Sequence, residues 1–86
     1  MDNFYAKYNN KEEFKNIINF ASTLSAKLPN GHYISKYGLK NLYNENGAYI
    51  IIELRRGNYF IDTINDLNDI DLTNFRELRR NDTWNF

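Results

Sequence analysis

The stretch Leu39–Asn65, LKNLYNENGAYIIIELRRGNYFIDTIN, constrains the fold more than any other part of the chain. Asn46-Gly47 is the strongest short-range hairpin signal in it, because a type I′ turn needs positive φ at both central positions. Gly57-Asn58 supplies a second two-residue loop. With these pairs as loops, the stretch reads as an antiparallel meander of three strands. Tyr43 then faces Ile50, Leu42 faces Ile51, Lys40 faces Glu53 and Leu39 faces Leu54. Across the second turn, Leu54 faces Ile61, Glu53 faces Asp62, Ile51 faces Ile64 and Arg55 faces Phe60. A slip of one residue would turn every side chain to the other face.

Period two then sorts the side chains. Leu39, Tyr43, Ile50, Ile52, Leu54, Tyr59 and Ile61 form the expected core face. Lys40, Leu42, Tyr49, Ile51, Glu53, Arg55, Phe60, Asp62 and Ile64 form the other, which is too apolar for a solvated face and too charged for a core. Glu53 opposite Asp62 is a like-charge pair that needs a cation beside it, and Lys40 is the one this register offers.

Around the meander the chain reads as follows. Residues 1–9 form an aromatic arm or edge strand carrying Phe4, Tyr5 and Tyr8. Residues 10–28 are the main helix. Asn10 and Glu13 stand at capping-box spacing, and Phe14, Ile17, Ile18, Ala21, Leu24 and Leu28 recur at helical period. Pro29-Asn30-Gly31 stops it. His32–Tyr37 is expected as a strand. The alternative is a short helix over Ser35–Asn44, giving a helix–helix–hairpin order like a reduced winged helix. Residues 65–73 are an acidic loop. Residues 74–81 are expected as a short helix, with Asn74 and Glu77 again at capping-box spacing and Leu72, Phe75 and Leu78 facing inward. The expected fold class is therefore α+β in one small domain, residues 1–86: an N-terminal helix packed on a three- to four-stranded antiparallel meander, with a short C-terminal helix.

A chain this short buries roughly 60–65% of its unfolded surface. Seven Tyr and six Phe are one way to gain buried area with few residues. The absence of Cys excludes disulfides and thiolate metal sites and suits a reducing compartment. No run approaches membrane-spanning length and the first residues lack a signal-peptide core, so the expected location is cytoplasmic. Net charge is zero but unevenly spread. Residues 1–43 carry six Lys and three carboxylates, +3; residues 44–86 carry five Arg and eight carboxylates, −3. Abundant Asn, Lys, Ile, Tyr and Phe with no Val or Gln fits an A+T-rich coding sequence, as in a low-GC bacterium or its mobile elements.

The candidate chemistries are few. His32 is the single histidine, with no nucleophile-elbow serine to serve; the ordinary reading is a solvated turn residue. Glu53 and Asp62 are the best carboxylate pair for acid–base work, and a charge ladder with Lys40 explains them as well. Asp66, Asn68 and Glu77 match positions 1, 3 and 12 of an EF-hand loop, but Ile70 and Asp71 fail positions 5 and 6. No catalytic, metal or cofactor set is expected, and a toxin-like ribonuclease using His32, Lys36 and the arginines ranks last.

The expected function is that of a non-enzymatic protein-binding module, a regulator or inhibitor of a larger protein. A phage- or plasmid-borne anti-defence protein, anti-CRISPR-like and aimed at a nucleic-acid-handling enzyme, fits the size and composition. Its partner contacts would be Tyr49, Glu53, Arg55, Phe60 and Asp62 on the mixed face, with Asp66, Asp69 and Asp71 of the acidic loop; aromatics and Arg inside a polar rim are what interfaces enrich. The same face could instead make a homodimer, or be covered by the C-terminal segment. The alternative is a nucleic-acid-binding module using Arg55, Arg56, Arg76, Arg79, Arg80 and Trp84, although a neutral domain leaves a weak electrostatic footprint for it.

Overall fold

The computed structural model describes residues 3–34 and 49–79. They form an α+β fold of one helix and a four-stranded mixed sheet: β1 (Asn3–Lys7), α1 (Lys11–Thr23), β2 (Tyr49–Arg55), β3 (Asn58–Ile64), a 3-10 turn (Leu67–Asp69) and β4 (Phe75–Glu77). The sheet order is β3-β2-β1-β4.

The helix begins where the capping pattern puts it. Asn10 lies outside the helix in extended backbone, and its Oδ1 accepts from the Glu13 N–H at 2.8 Å. Glu13 reaches back one residue further than a capping box does: its carboxylate accepts from the Asn9 N–H at 3.0 Å. Phe14, Ile17, Ile18 and Ala21 are buried, as their spacing predicts.

The helix ends at Thr23, five residues before the expected Leu28. The stop is a Schellman motif: Ser25 takes φ +55, the Ala26 N–H donates to the Ala21 C=O and the Ser25 N–H to the Ser22 C=O. Such a cap normally announces itself with glycine; here a serine holds the left-handed position. Leu28 is still buried, because residues 26–34 fold back as a tight hairpin. The Leu28 N–H donates to the His32 C=O at 2.7 Å, and the Gly31 N–H to the Leu28 C=O at 2.8 Å. Gly31, at φ +90, occupies the left-handed position that closes a three-residue loop. Lys27 bridges to Tyr33 on one side and to Phe60 on the other, so this hairpin covers the outer edge of β3.

β2 is the central strand. One edge pairs with β3 and the other with β1, Phe4 opposite Ile52 and Lys7 opposite Tyr49. The expected pairing of residues 39–43 with Ile50–Leu54 is therefore corrected: the N-terminal arm holds that edge. Asn46-Gly47, Lys40 and residues 35–44 of the strand-or-helix alternative over 32–44 lie outside the described residues; of the expected strand His32–Tyr37, the described part forms a single bridge at Tyr33. The second turn shifts by one residue. Arg55 pairs with Asn58, so the loop is Arg56-Gly57, not Gly57-Asn58, with φ +52 and +81 as a type I′ turn requires. The register moves by two, so both faces survive. Glu53 now faces Phe60 and Ile51 faces Asp62, which separates the two carboxylates, while Ile52 faces Ile61, both fully buried. Apolar pairing and relief of like-charge contact outweigh the better turn residue.

The expected helix over 74–81 is corrected too. Phe75–Glu77 is a short strand parallel to β1, and the Leu78 N–H donates to the Tyr5 C=O at 2.8 Å. Leu78 is buried as expected. An open strand edge on β1 offered backbone partners that outweigh the weak local helix signal.

The core lies between α1 and one sheet face. Phe14, Ile34, Ile50, Ile52 and Ile61 are its largest fully buried side chains. Tyr8 meets Phe14 edge to face at 4.9 Å, and Phe4 meets Phe20 likewise at 5.5 Å.

The connection from β3 to β4 decides what happens on the opposite face. Both strands run parallel to β1, so residues 65–74 must cross two strands and return one strand length. Tyr59 and Ile61, on the α1 side, direct their C=O and N–H to Lys27 at the outer edge of β3. For L-residues this fixes the hand of the sheet. Seen from α1 with β1 upward, the order from left to right is β4, β1, β2, β3. A right-handed crossover then passes behind the sheet, over the face away from α1. Leu67, Ile70 and Leu72 of this segment are half-buried, while the half-buried side chains on the α1-side core are Phe4, Phe20, Leu24 and Tyr59.

Candidate interaction surface

The face away from α1 collects the odd residues of β2 and the even residues of β3. Tyr49, Ile51, Glu53 and Arg55 thus share it with Phe60, Asp62 and Ile64, as the alternation predicts. β1 and β4 extend it with Asn3, Tyr5, Lys7, Phe75 and Glu77. Tyr5, Tyr49, Ile51, Phe60, Ile64 and Phe75 are all half-buried. Tyr5 was expected in an arm or edge strand and Phe75 on the inner side of a short helix; the structure instead places both on this face, through β1 and β4.

The crossover runs from the top of β3 to the foot of β4, so it leaves the corner at the β2–β3 turn. There Arg55 Nε lies 2.8 Å from Glu53 Oε1, and its guanidinium sits 4.9 Å from the centre of the Phe60 ring. The ion pair spans exposed side chains and contributes at most about 1 kcal/mol; its structural effect is to hold the guanidinium over the ring. Arg55, Arg56, Asn58 and Phe60 line a groove of about 350 Å³. Of the expected partner contacts, Glu53, Arg55 and Phe60 therefore meet. Asp62 is exposed on the edge strand beside them, and Tyr49 lies at the far end of β2.

The acidic loop is occupied with its own backbone. Asp66 Oδ1 accepts from the Asn68 N–H at 2.9 Å and caps the 3-10 turn. Asp71 Oδ1 accepts from the Thr73 hydroxyl at 2.6 Å and the Thr73 N–H at 3.0 Å. The hydroxyl first, and then the N–H, hold its carboxyl below the usual aspartate value. The loop's carboxylates thus act as turn formers, which is the ordinary role of Asp in such sequences. The side chain of Asp69 lies outside what the structure describes. Among the described residues no group of three or more His, Cys, Asp or Glu is placed to hold a metal.

The arginines do not converge. Arg55 and Arg56 stand at the β2–β3 turn. Arg76 lies on the α1 side of the sheet with its guanidinium 5.4 Å from the centre of the Phe4 ring, and Arg79 pairs with Glu77 at 3.5 Å beyond β4. β1 lies between β2 and β4, and Arg76 is on the opposite face of the sheet from Arg55. Arg80 and Trp84 lie outside the described residues. His32 is exposed, its C=O holding the 26–34 hairpin. No described helix is long and apolar enough to cross a membrane. Compared with protein-family models, curated proteins and solved structures, the chain matches none.

Proposed function

We propose that this chain is a non-enzymatic protein-binding module that regulates or inhibits a larger protein through the part of the sheet face away from α1 that the crossover leaves open, the corner at the β2–β3 turn. The observation that carries the reading is the open corner itself: half-buried Phe60 with Arg55 held over its ring, and Glu53 and exposed Asp62 at its margin. Apolar and aromatic centres inside a charged rim are the composition of protein interfaces. Size and A+T-biased composition extend the proposal to a cytoplasmic anti-defence protein of a phage or plasmid, acting on a nucleic-acid-handling enzyme. Nucleic-acid binding is the competing reading, and the separation of the arginines counts against it.

The test is capture of partners by the tagged protein from native lysate, with and without nuclease, read by mass spectrometry. One stoichiometric protein in both halves is expected. Phe60→Ala should weaken that complex about thirtyfold, the scale of a hot-spot residue, with a cooperative melt retained. Capture only in the untreated half, together with nucleic acid, refutes the proposal. Loss of folding in Phe60→Ala would make the corner core and refute it as well.

A further inference from the structure

The 26–34 hairpin adds to the sheet face a row of residues that no motif announces. Lys27 is paired with Phe60 in parallel register and with Tyr33 in antiparallel register, and Phe60 is paired with Glu53. Paired residues share a face, so Tyr33, Lys27, Phe60 and Glu53 line up across the corner that the crossover leaves. Ala26 and Leu28, on either side of Lys27, are buried toward the core, which confirms that Lys27 turns outward. Tyr33 is 51% exposed and Lys27 Nζ sits 5.2 Å from the centre of its ring. Next along, Arg55 lies over Phe60. Two cations are thus each held against a ring.

Arg56 completes the corner. It is exposed, and among the described residues its guanidinium makes no ion pair. It also stands at φ +52, the turn position where asparagine or glycine would sit without strain. An unpaired cation kept at an unfavourable backbone position beside two ring-held cations is an arrangement for an external anion.

We infer that the corner formed by Lys27, Tyr33, Arg55, Arg56 and Phe60 receives an acidic segment of the protein partner, its carboxylates taken by Arg55, Arg56 and Lys27. The inference rests on the binding-module reading and names the chemistry of the contact. Three cations against the carboxylates of Glu53 and Asp62 leave the corner one positive charge in excess. Planar guanidinium forks match carboxylates two donors at a time. A continuous phosphate backbone fits less well. Stacking of bases is what it would add, and one face of each ring is already taken, by Arg55 on Phe60 and by Lys27 on Tyr33.

The experiment is an NMR titration of the full-length protein with two probes of similar charge, octaglutamate and octathymidylate. Octaglutamate should shift the amides of Lys27, Tyr33 and Arg55–Phe60. Arg56→Asn should weaken that binding roughly tenfold, the scale of one charge-assisted hydrogen bond, while the melting temperature holds or rises because Asn-Gly suits the turn. Lys27→Gln should weaken it in the same sense. Tighter binding of octathymidylate to the same amides overturns the inference and the binding-module reading together. No shift from either probe, or a captured protein partner whose affinity is the same for wild type and Arg56→Asn, overturns the inference and leaves the module reading standing.

Discussion

Replacing Ser25 with glycine should stabilise the protein. Ser25 closes α1 at φ +55 and makes the two backbone hydrogen bonds of the Schellman motif. The left-handed conformation costs a residue with a Cβ about 1–2 kcal/mol, while glycine loses about 0.5–1 kcal/mol more chain entropy on folding. The net gain is roughly 0.5–1 kcal/mol. For 86 residues the unfolding entropy is about 0.18 kcal/mol/K, so Tm should rise by about 3–6 °C. Ser25→Ala is the control. Alanine keeps the Cβ and the strain, and at an exposed position should move stability by less than about 0.5 kcal/mol. Thermal melts followed by far-UV circular dichroism measure both. Refutation is a glycine variant that melts at or below the wild-type temperature, or an alanine variant that gains as much as glycine.

Asn10→Ala removes the acceptor for the Glu13 N–H and should cost about 1 kcal/mol, read as a fall of about 5 °C in Tm; an unchanged melt would mean the cap is not formed. Thr73→Val removes the hydroxyl that is the first cause of the lowered Asp71 pKa, so the Asp71 carboxyl should titrate at higher pH, checked by NMR of its side-chain carbon. The sign follows from linkage: a depressed carboxyl favours folding above its unfolded pKa and loses that contribution as pH falls through the folded value. The variant should therefore lose stability relative to wild type near neutral pH, and the gap should close in acid.

What the sequence made legible depended on how local the physics was. The start and buried stripe of α1 were legible because cap and period are properties of neighbouring residues. The two sheet faces were legible because period two survives any even shift of register, which is why Ile50, Ile52 and Ile61 were found despite the misplaced turn. The turn was misplaced because Gly57 serves either loop, and only the pairing of Ile52 with Ile61 across the sheet chooses between them. The end of α1 was missed because a serine holds the position where glycine would have signalled it. β1 was left open between an arm and an edge strand, and β4 was read as a helix, for a different reason. They are short, and they become strands by pairing with residues far away in sequence: Phe4 with Ile52, and Phe75 with Asn3. The candidate site divides along the same line. Glu53, Arg55 and Phe60 follow from alternation, whereas Lys27 and Tyr33 join them only through long-range pairing.

The chain's strain is placed where a binding surface would need it. Ser25 and Arg56 are the two described non-glycine residues at positive φ. The first closes the helix, and its strain is recovered in backbone hydrogen bonds. At Arg56 a one-residue change to asparagine would relieve the strain and keep the turn, so nothing among the described residues asks for arginine there. The fold explains the loop length and the glycine that follows; it does not explain the cation. A cost in stability with no structural return, located beside Arg55 and Phe60, is intelligible if the return lies outside the chain. That argument stands on the backbone angle and is independent of the composition of the sheet face, so the two converge on the β2–β3 corner from separate observations.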